Sequence, residues 1–246
     1  MSASHPERPP RAGRSSPPTS NRPTGDGSQD PSGARHHAHD AHDAAGTSHA
    51  SHLSGAGGPP RGGYLALGER AAIRRLRRDD EREFITSARQ SVALHRPWLF
   101  PPTSREEFAS YVHRLEEPSR VGFVICERGT DEIAGYVAIN AIVGGAFQCG
   151  ALGYGAFAHA AGRGLMSEGL GLVAEYAFGP MRLHRLEANI QPDNERSIAL
   201  VKRLGFRLEG FSPDFLFIDG AWRDHERWAI TSEMPRRSAE AGTVRP

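Results

Sequence analysis

The sequence predicts one α/β domain of the mixed, α+β kind: a mostly antiparallel sheet of about seven strands flanked by four helices, preceded by a long tail. Three observations predict it. Composition changes abruptly near residue 63. Beyond that point, strand-like apolar runs and helix-periodic runs alternate in the order βααβββαβαββ, with no internal repeat. An Asp219-Gly220 pair between the last two strand runs is a strong hairpin signal with a type I′ turn.

Residues 1–63 hold nine Pro, ten Gly, many Ser and His, and no aromatic residue. Met1 and Leu53 are the only larger apolar side chains there, so no core offsets the entropy of ordering the segment and a disordered tail is expected. Its run His36-His37-Ala38-His39-Asp40-Ala41-His42-Asp43, with His49 and His52 beyond, has residue types that hold Zn or Ni. Nothing fixes a coordination geometry, and no functional metal is expected. Residues 64–232 are long enough to bury a sizeable core and form the domain, and 233–246 read as a flexible carboxyl-terminal tail.

Ala72 to Leu76 opens the domain as a strand. Asp79-Asp80 starts a helix through about Ala93, on which Phe84, Ala88 and Val92 repeat every four residues along one face. It stops near His95-Arg96-Pro97-Trp98, and Pro97, Pro101 and Pro102 stiffen the connection that follows. Ser104 and Glu107 form a capping box for a second helix carrying Phe108, Tyr111, Val112 and Leu115. Val121–Glu127, Ile133–Ile142 and Ala151–Ala158, rich in Val, Ile, Phe and Tyr and bounded by Gly and Asp turn signals, are three strands of a meander. A helix over Leu165–Phe178, a strand over Arg185–Gln191 and a helix over Asn194–Leu204 come next. The chain ends in the hairpin, whose strands include Phe215–Ile218 and Trp222.

With 30 basic and 29 acidic residues, a net charge of +1, the chain has no electrostatic footprint for nucleic acid or an anionic membrane, and neither is expected as a partner. Cys126 and Cys149 lie in strand-like apolar runs, away from any zinc or redox spacing, and read as buried free thiols of a reducing cytosol. No apolar run has signal-peptide or bilayer-spanning character, so a soluble cytoplasmic protein is expected; monomer and homodimer are both open.

The stretch Ala160-Ala161-Gly162-Arg163-Gly164-Leu165-Met166 sets two glycines one residue apart at the mouth of a helix. Glycine there either supplies positive φ for a tight turn or lets an anion approach backbone N–H groups that a helix leaves unpaired in its first turn. The dinucleotide fingerprint fails for lack of a second glycine pair and a downstream acidic residue, and the Walker pattern fails for lack of Gly-Lys-Ser/Thr. His159-Ala160-Ala161-Gly162-Arg163-Gly164 instead resembles the Q/R-x-x-G-x-G/A signature of the GNAT superfamily of N-acetyltransferases, with His159 in place of Gln or Arg. Asn194 through Phe206 resembles that superfamily's N-x-x-[AS]-x-x-[LV]-x-x-x-x-G-F helix and following strand. Arg203-Leu204-Gly205-Phe206, Glu209-Gly210-Phe211, Asp214, Ile218-Asp219-Gly220 and Trp222-Arg223-Asp224-His225 are similar to the carboxyl end of RimJ/RimL-like ribosomal-protein-alanine N-acetyltransferases. Pro97-Trp98-Leu99, Phe147-Gln148 and Leu152-Gly153-Tyr154 resemble the RimJ-like branch. The resemblance runs from about Leu65 to Thr231.

This resemblance implies a GNAT fold with acetyl-CoA as co-substrate, bound where two neighbouring parallel strands splay apart. Its pantetheine arm would pair with the strand near Ala156 to Ala158, in contact with Phe157 and Ala158. Its pyrophosphate would rest beside His159 and on the backbone from Ala161 through Gly162, Arg163 and Gly164 to Leu165. Asn194 would bond the pantetheine side or cap the helix starting at Glu195, two roles that can coexist.

Direct acetyl transfer in a ternary complex needs a neutral amine, a donor for the developing oxyanion and a proton for the leaving thiolate. A backbone N–H on the splayed strand can supply the donor. Relatives often carry a carboxylate just before the loop, where this chain reads Ala156-Phe157-Ala158-His159. Glu187 is the first candidate to direct a water or accept the proton, with an ion pair to nearby Arg as its other reading, and His159 is the second. The acidic tyrosine of many superfamily members is Val201 here, which leaves Ser197, resembling the serine of RimL-like relatives, as acid or as an ordinary packing residue. A weak base suits an α-amine: with a pKa of about 7.7–8.0, roughly a tenth is neutral at pH 7, against well under roughly a thousandth of a lysine amine near 10.4.

Glu168, in the first turn after the loop, is read as complementing the helix dipole. Trp98, with Tyr111 and Trp222 as further aromatics, and the hairpin carboxylates Asp214 and Asp224 are candidates to line the acceptor cleft and attract a cationic amine. Core packing and plain solvation are their alternatives. The expectation is N-acetylation of the Ala or Ser amino terminus of a ribosomal or other protein. A small amine (antibiotic, polyamine or amino acid) is the first alternative acceptor. A non-catalytic coenzyme A-binding module, suggested by Val201 and the carboxylate-free loop, is the second.

Overall fold

The computed structural model describes residues 63–234. The tail expected over 1–63, its histidine run included, lies outside the described residues except for Gly63, as do residues 235–246 of the carboxyl-terminal segment. The elements run β1 (Ala66–Leu67), β2 (Ala71–Arg75), α1 (Glu81–Gln90), α2 (Val92–His95), α3 (Arg105–Arg114), β3 (Val121–Glu127), β4 (Ile133–Val143), β5 (Cys149–Ala156), α4 (Leu165–Phe178), β6 (Arg185–Ile190), α5 (Glu195–Arg203), β7 (Arg207–Ile218) and β8 (Ala221–Thr231). Among the described residues the strands form one sheet in the order β1-β2-β3-β4-β5-β6-β8-β7. Every neighbouring pair is antiparallel except β5 and β6. The meander β3–β4–β5 and the hairpin at Asp219-Gly220 are as the sequence predicts. Positive φ at both turn residues, 52° and 74°, is what a type I′ turn requires.

The described residues form eight strands and five α-helices where seven and four are expected. The added strand is β1, paired as Ala66↔Ile73 and Leu67↔Ala72 and too short for periodicity to reveal. The first helix is interrupted: after a 3₁₀ turn at Arg78–Asp80 and α1, Ser91 leaves helical geometry (φ −105°, ψ 7°) before α2 begins. Ser91 Oγ donates to the Ser87 carbonyl at 2.6 Å and accepts the Ala158 N–H at 2.8 Å, side-chain bonds that compete with the helix ladder. The third meander strand is Cys149–Ala156 rather than 151–158. Phe157 N–H still bonds the Ala134 carbonyl, but the Phe157 ring enters the core and the chain turns 3₁₀ over Ala158–Ala160.

Two apolar layers cover the sheet. On one face, Leu170, Val173, Ala174 and Ala177 of α4 and Val201 of α5 pack on Leu152, Leu186, Ala188 and Ile190. On the other, Phe84, Ile85 and Ala88 of α1 and Phe108 and Val112 of α3 pack on Val124, Cys126, Tyr136 and Phe157. Phe84 centres this second layer, its ring 5.2–5.3 Å from those of Phe108, Tyr136 and Phe157. α4 lies close to the sheet because Gly169 faces it: a Cβ there would stand 2.5 Å from Ile125 Cγ2. Cys126 and Cys149 are buried free thiols. No helix among the described residues is long and apolar enough to cross a membrane.

Candidate functional site

The parallel pairing of β5 and β6 stops at Leu152↔Ala188, although β5 continues to Ala156 and β6 to Ile190. Because Phe157 donates across to β4, strand alternation turns the N–H and C=O of odd-numbered β5 residues toward β4, and those of Tyr154 and Ala156 toward the gap. α2 closes the far end. His95 Nε2–H donates to the Ala156 carbonyl at 2.7 Å, and Ser91, one turn earlier, holds the Ala158 N–H. The open edge therefore centres on Tyr154 and the Ala156 N–H. It lies just before the Phe157 and Ala158 singled out from the sequence, whose amides are already engaged. A carbonyl only accepts, so the neutral His95 ring carries its proton on Nε2. Burial lowers the pKa of that ring, and its Nδ1 has no partner among the described residues.

At the loop, Gly162 and Gly164 both lie in the left-handed region, with φ of 77° and 81°. The tight-turn role of the two glycines is therefore real. The anion role is compatible with it. Among the described residues a Cβ on Gly162 would meet nothing within 4 Å, and the first bond of α4 runs from Glu168 N–H to the Gly164 carbonyl, which leaves the amides of Leu165, Met166 and Ser167 ahead of the helix ladder. These residues fit a bound pyrophosphate. Arg163 turns away from the loop and grips Glu127 at the end of β3 with both Nη atoms. The cation against the loop is Arg70, whose Nη1 donates to the Arg163 carbonyl at 3.3 Å and whose Nη2 would stand 3.0 Å from a Cβ on Gly164. Sequence reasoning missed Arg70, which sits in a turn beside a two-residue strand. Glu168 accepts the Arg70 and Ala71 N–H groups at 2.9 and 3.3 Å, fastening α4 to that turn in addition to any dipole effect. His159 stacks on Phe157, ring centroids 6.4 Å apart, and lines a hollow with Glu83, Asp131 and Glu132.

Across the gap, Asn194 caps α5, its Oδ1 accepting the Ser197 N–H at 3.2 Å. Ser197 Oγ meets Tyr154 Oη at 2.7 Å, a bridge from α5 to the open edge of β5. Burial pushes the Tyr154 phenol up to about 12, so it stays protonated at neutral pH. Val201 is fully buried and offers no hydroxyl, whereas Tyr154 on β5 carries one at this bridge. In the sequence Tyr154 enters only as part of the Leu152-Gly153-Tyr154 resemblance, with no role attached, and no spacing rule marks it as a proton donor.

Glu187 lies on the opposite face. Leu186, Ala188 and Ile190 pack toward α4 and α5, so Glu187 and Asn189 face the other way. Glu187 Oε1 accepts from Arg185 Nε at 2.9 Å and Oε2 from Arg227 Nη2 at 3.0 Å. Arg185 also reaches Glu209, and Arg185 and Arg207 together draw that carboxyl down to about 2. The ion-pair reading of Glu187 therefore holds, at a position one residue before the strands part.

The 96–103 connection lies over the end of the gap on the Glu187 face. Tyr136 Oη and Leu99 Cδ1 would stand 3.0 and 3.1 Å from a Cβ on Gly155. Trp98, half-buried, donates its N–H to the His95 carbonyl at 2.8 Å, and Arg96 and Asp219, 3.7 Å apart, tie the connection to the hairpin tip. A cavity of about 520 Å³ runs behind the connection, lined by His95, Leu99, Phe100, Glu106 and Arg114 among others. The hairpin carboxylates have a different setting. Asp224 Oδ1 accepts the Asp214 N–H at 2.9 Å and closes a bulge at which Asp214 has φ 47°. Alternation from the buried Trp228 places Asp224 on the α5 face, away from Glu187. Tyr111 packs on Phe84, and Trp222 is 60% exposed at the hairpin.

The family model described as Acetyltransferase (GNAT) domain matches residues 70–207. This chain belongs to the GNAT acetyltransferase family. It is an N-acetyltransferase, and the family uses acetyl-CoA. The probable N-acetyltransferase YjcK of Bacillus subtilis (strain 168) is 35% identical over 126 residues, 51% of this chain and 70% of its own length. The [ribosomal protein uS5]-alanine N-acetyltransferase of Escherichia coli (strain K12) is 42% identical over 101 residues, 41% of this chain, so this GNAT chain spans about half (52%) of that enzyme. A solved structure of Mycobacterium smegmatis RimJ in complex with CoA-disulfide superposes with a TM-score of 0.61 at 28% identity, covering 66% of this chain and 82% of that one. Weaker matches include the spermidine N(1)-acetyltransferase of the same Escherichia coli strain, 32% identical over 69 residues.

Proposed function

We propose that this GNAT enzyme acetylates an α-amine, the Ala or Ser amino terminus of a ribosomal or other protein, in the cytoplasm and by direct transfer in a ternary complex. The observation that carries the reading is the state of Glu187, whose two oxygens each already accept from a guanidinium. A carboxylate so occupied is poorly placed to strip a proton from a lysine-like amine. An α-amine, already roughly a tenth neutral at pH 7, asks much less of it. The similarity to the uS5-alanine enzyme supports the same acceptor class.

In this reading coenzyme A enters from the α4–α5 face. Its pyrophosphate rests on the amides from Gly162 to Leu165, with Arg70 beside it, and its pantetheine arm pairs with the Tyr154–Ala156 edge. Tyr154, bridged to Ser197, protonates the leaving thiolate. The acceptor approaches from the opposite face, where Glu187 directs the proton away from the amine, and Trp98 and the 96–103 connection wall the entrance. The two substrates meet where β5 and β6 part.

Free-thiol release from acetyl-CoA tests this, using peptides beginning with Ala or Ser, lysine peptides blocked at the amino terminus, and small amines including spermidine. Turnover confined to peptides with free amino termini is the expected result. Turnover of small amines alone would replace the acceptor, and acetyl-CoA binding without any turnover would leave a coenzyme A-binding module.

A further inference from the structure

Asn189 and Arg227 are register partners on β6 and β8 and share the face that carries Glu187. Asn189 is the first β6 residue beyond the last pair with β5, and Arg227 binds Glu187 through Nη2 while Phe215 packs on its guanidinium, 4.4 Å from ring centroid to Cζ. Among the described residues each keeps one buried polar atom without a partner: Asn189 Oδ1, an acceptor, and Arg227 Nε, a donor. Orphans of opposite sense on facing residues call for a donor and an acceptor, and a ligand that carries one of each can supply both.

We infer that this pair reads the acceptor's main chain. Resting on the α-amine reading above, it assigns the first peptide N–H of the acceptor to Asn189 Oδ1 and a main-chain carbonyl to Arg227 Nε. Asn189 lies roughly 7 Å along β6 from Glu187 at strand rise, one residue's reach from an amine held there. A polyamine offers donors only. It leaves Arg227 Nε unsatisfied and brings its second cation up to a guanidinium. The pair is therefore a specificity device that selects an amine followed by a peptide group.

The test crosses Asn189→Leu with a substrate in which the first peptide N–H is replaced by an ester oxygen. In the wild-type enzyme the ester substitution lowers kcat/KM about tenfold, one buried hydrogen bond's worth. The N189L enzyme starts about tenfold lower on the amide peptide and loses less than about twofold on going to the ester, because the partner is already gone. N189D, which keeps an acceptor oxygen, retains the full penalty for the ester and guards against a merely misfolded N189L. Equal ester penalties in wild-type and N189L overturn the inference while leaving the α-amine reading intact. Turnover of spermidine with none of the peptides overturns both.

Discussion

Replacing Tyr154 by Phe tests the acid directly. The phenol lies 2.7 Å from Ser197 Oγ and is pushed up to about 12, so at pH 8 only about one molecule in ten thousand has lost the proton and the donor is always loaded. A thiol is a far stronger acid than an alcohol, which makes its thiolate a tolerable leaving group and places the benefit at the lower end of general-acid catalysis, about a hundredfold. Tyr154→Phe should therefore lower kcat about 10²-fold, about 2.7 kcal/mol of barrier, with KM for acetyl-CoA nearly unchanged. Ser197→Ala, which keeps the phenol and removes only its partner, should cost about tenfold or less. Each variant strands a buried hydroxyl or its neighbour, so a melting-temperature loss equivalent to about 1–3 kcal/mol is expected alongside. Steady-state thiol release on folded variants decides it. If Tyr154→Phe keeps kcat within threefold of the wild type, the thiolate leaves unprotonated and the bridge serves only packing.

Other consequences concern stability and cofactor binding. Gly169→Ala gains about 1 kcal/mol of helix propensity but drives a methyl to within 2.5–2.6 Å of three atoms of the fully buried, β-branched Ile125. Overpacking outweighs propensity and urea unfolding should show a net loss of about 1–2 kcal/mol; a gain would mean that α4 does not sit this close to the sheet. His95 and His225 both have pKa values lowered by burial, so the unfolded chain binds protons before the folded one and the stability they lend is present above about pH 6.5 and lost as pH falls below it. Glu209, drawn down to about 2 by Arg185, adds a second loss from about pH 4.5 down toward 2. Urea midpoints flat from pH 8 to 4 would contradict the histidine assignment. Arg70→Ala should raise KM for acetyl-CoA about fivefold, whereas Arg163→Ala, whose guanidinium is committed to Glu127, should change it less than twofold; the reverse order would show that Arg163 leaves Glu127 for the cofactor.

Much of this was readable before any coordinates, for reasons that differ by element. The meander, α4 and the Asp219-Gly220 hairpin follow from periodicities of two and 3.6 and from a dipeptide with one favoured turn, all local properties. Gly162 and Gly164 are legible because left-handed φ leaves few other residue types. The break at Ser91 was not legible, since its cause is the Ala158 amide, distant in sequence. Tyr154 was missed for a related reason: its role comes from Ser197, 43 positions on, brought within 2.7 Å by the crossover through α4 and β6. Asp224 shows a different limit. The sequence offers its carboxylate as a candidate to attract an amine, and says nothing of its bond to the Asp214 amide or of the side of the sheet it lies on.

The open edge of β5, proposed above to pair with the pantetheine arm, owes its length to what bounds it. Up to Leu152, the gap side of β5 is occupied by β6; from the Ala156 carbonyl onward it is occupied by His95 and then Ser91, spaced one helical turn apart so that a carbonyl and an amide two residues along the strand are met in order. Between these limits lie the Tyr154 N–H and C=O and the Ala156 N–H. That is about 13 Å of strand from Leu152 to Ala156, and it presents donors and an acceptor in the alternation that an arm with two amide groups can pair with. If β6 followed β5 to its end there would be no edge to pair with. If α2 ran unbroken through Ser91, that hydroxyl would lose the geometry with which it holds Ala158, and the open edge would run on into the phosphate loop. The interruption of the first helix therefore sets where the open edge of β5 ends, which is the edge proposed above to pair with coenzyme A.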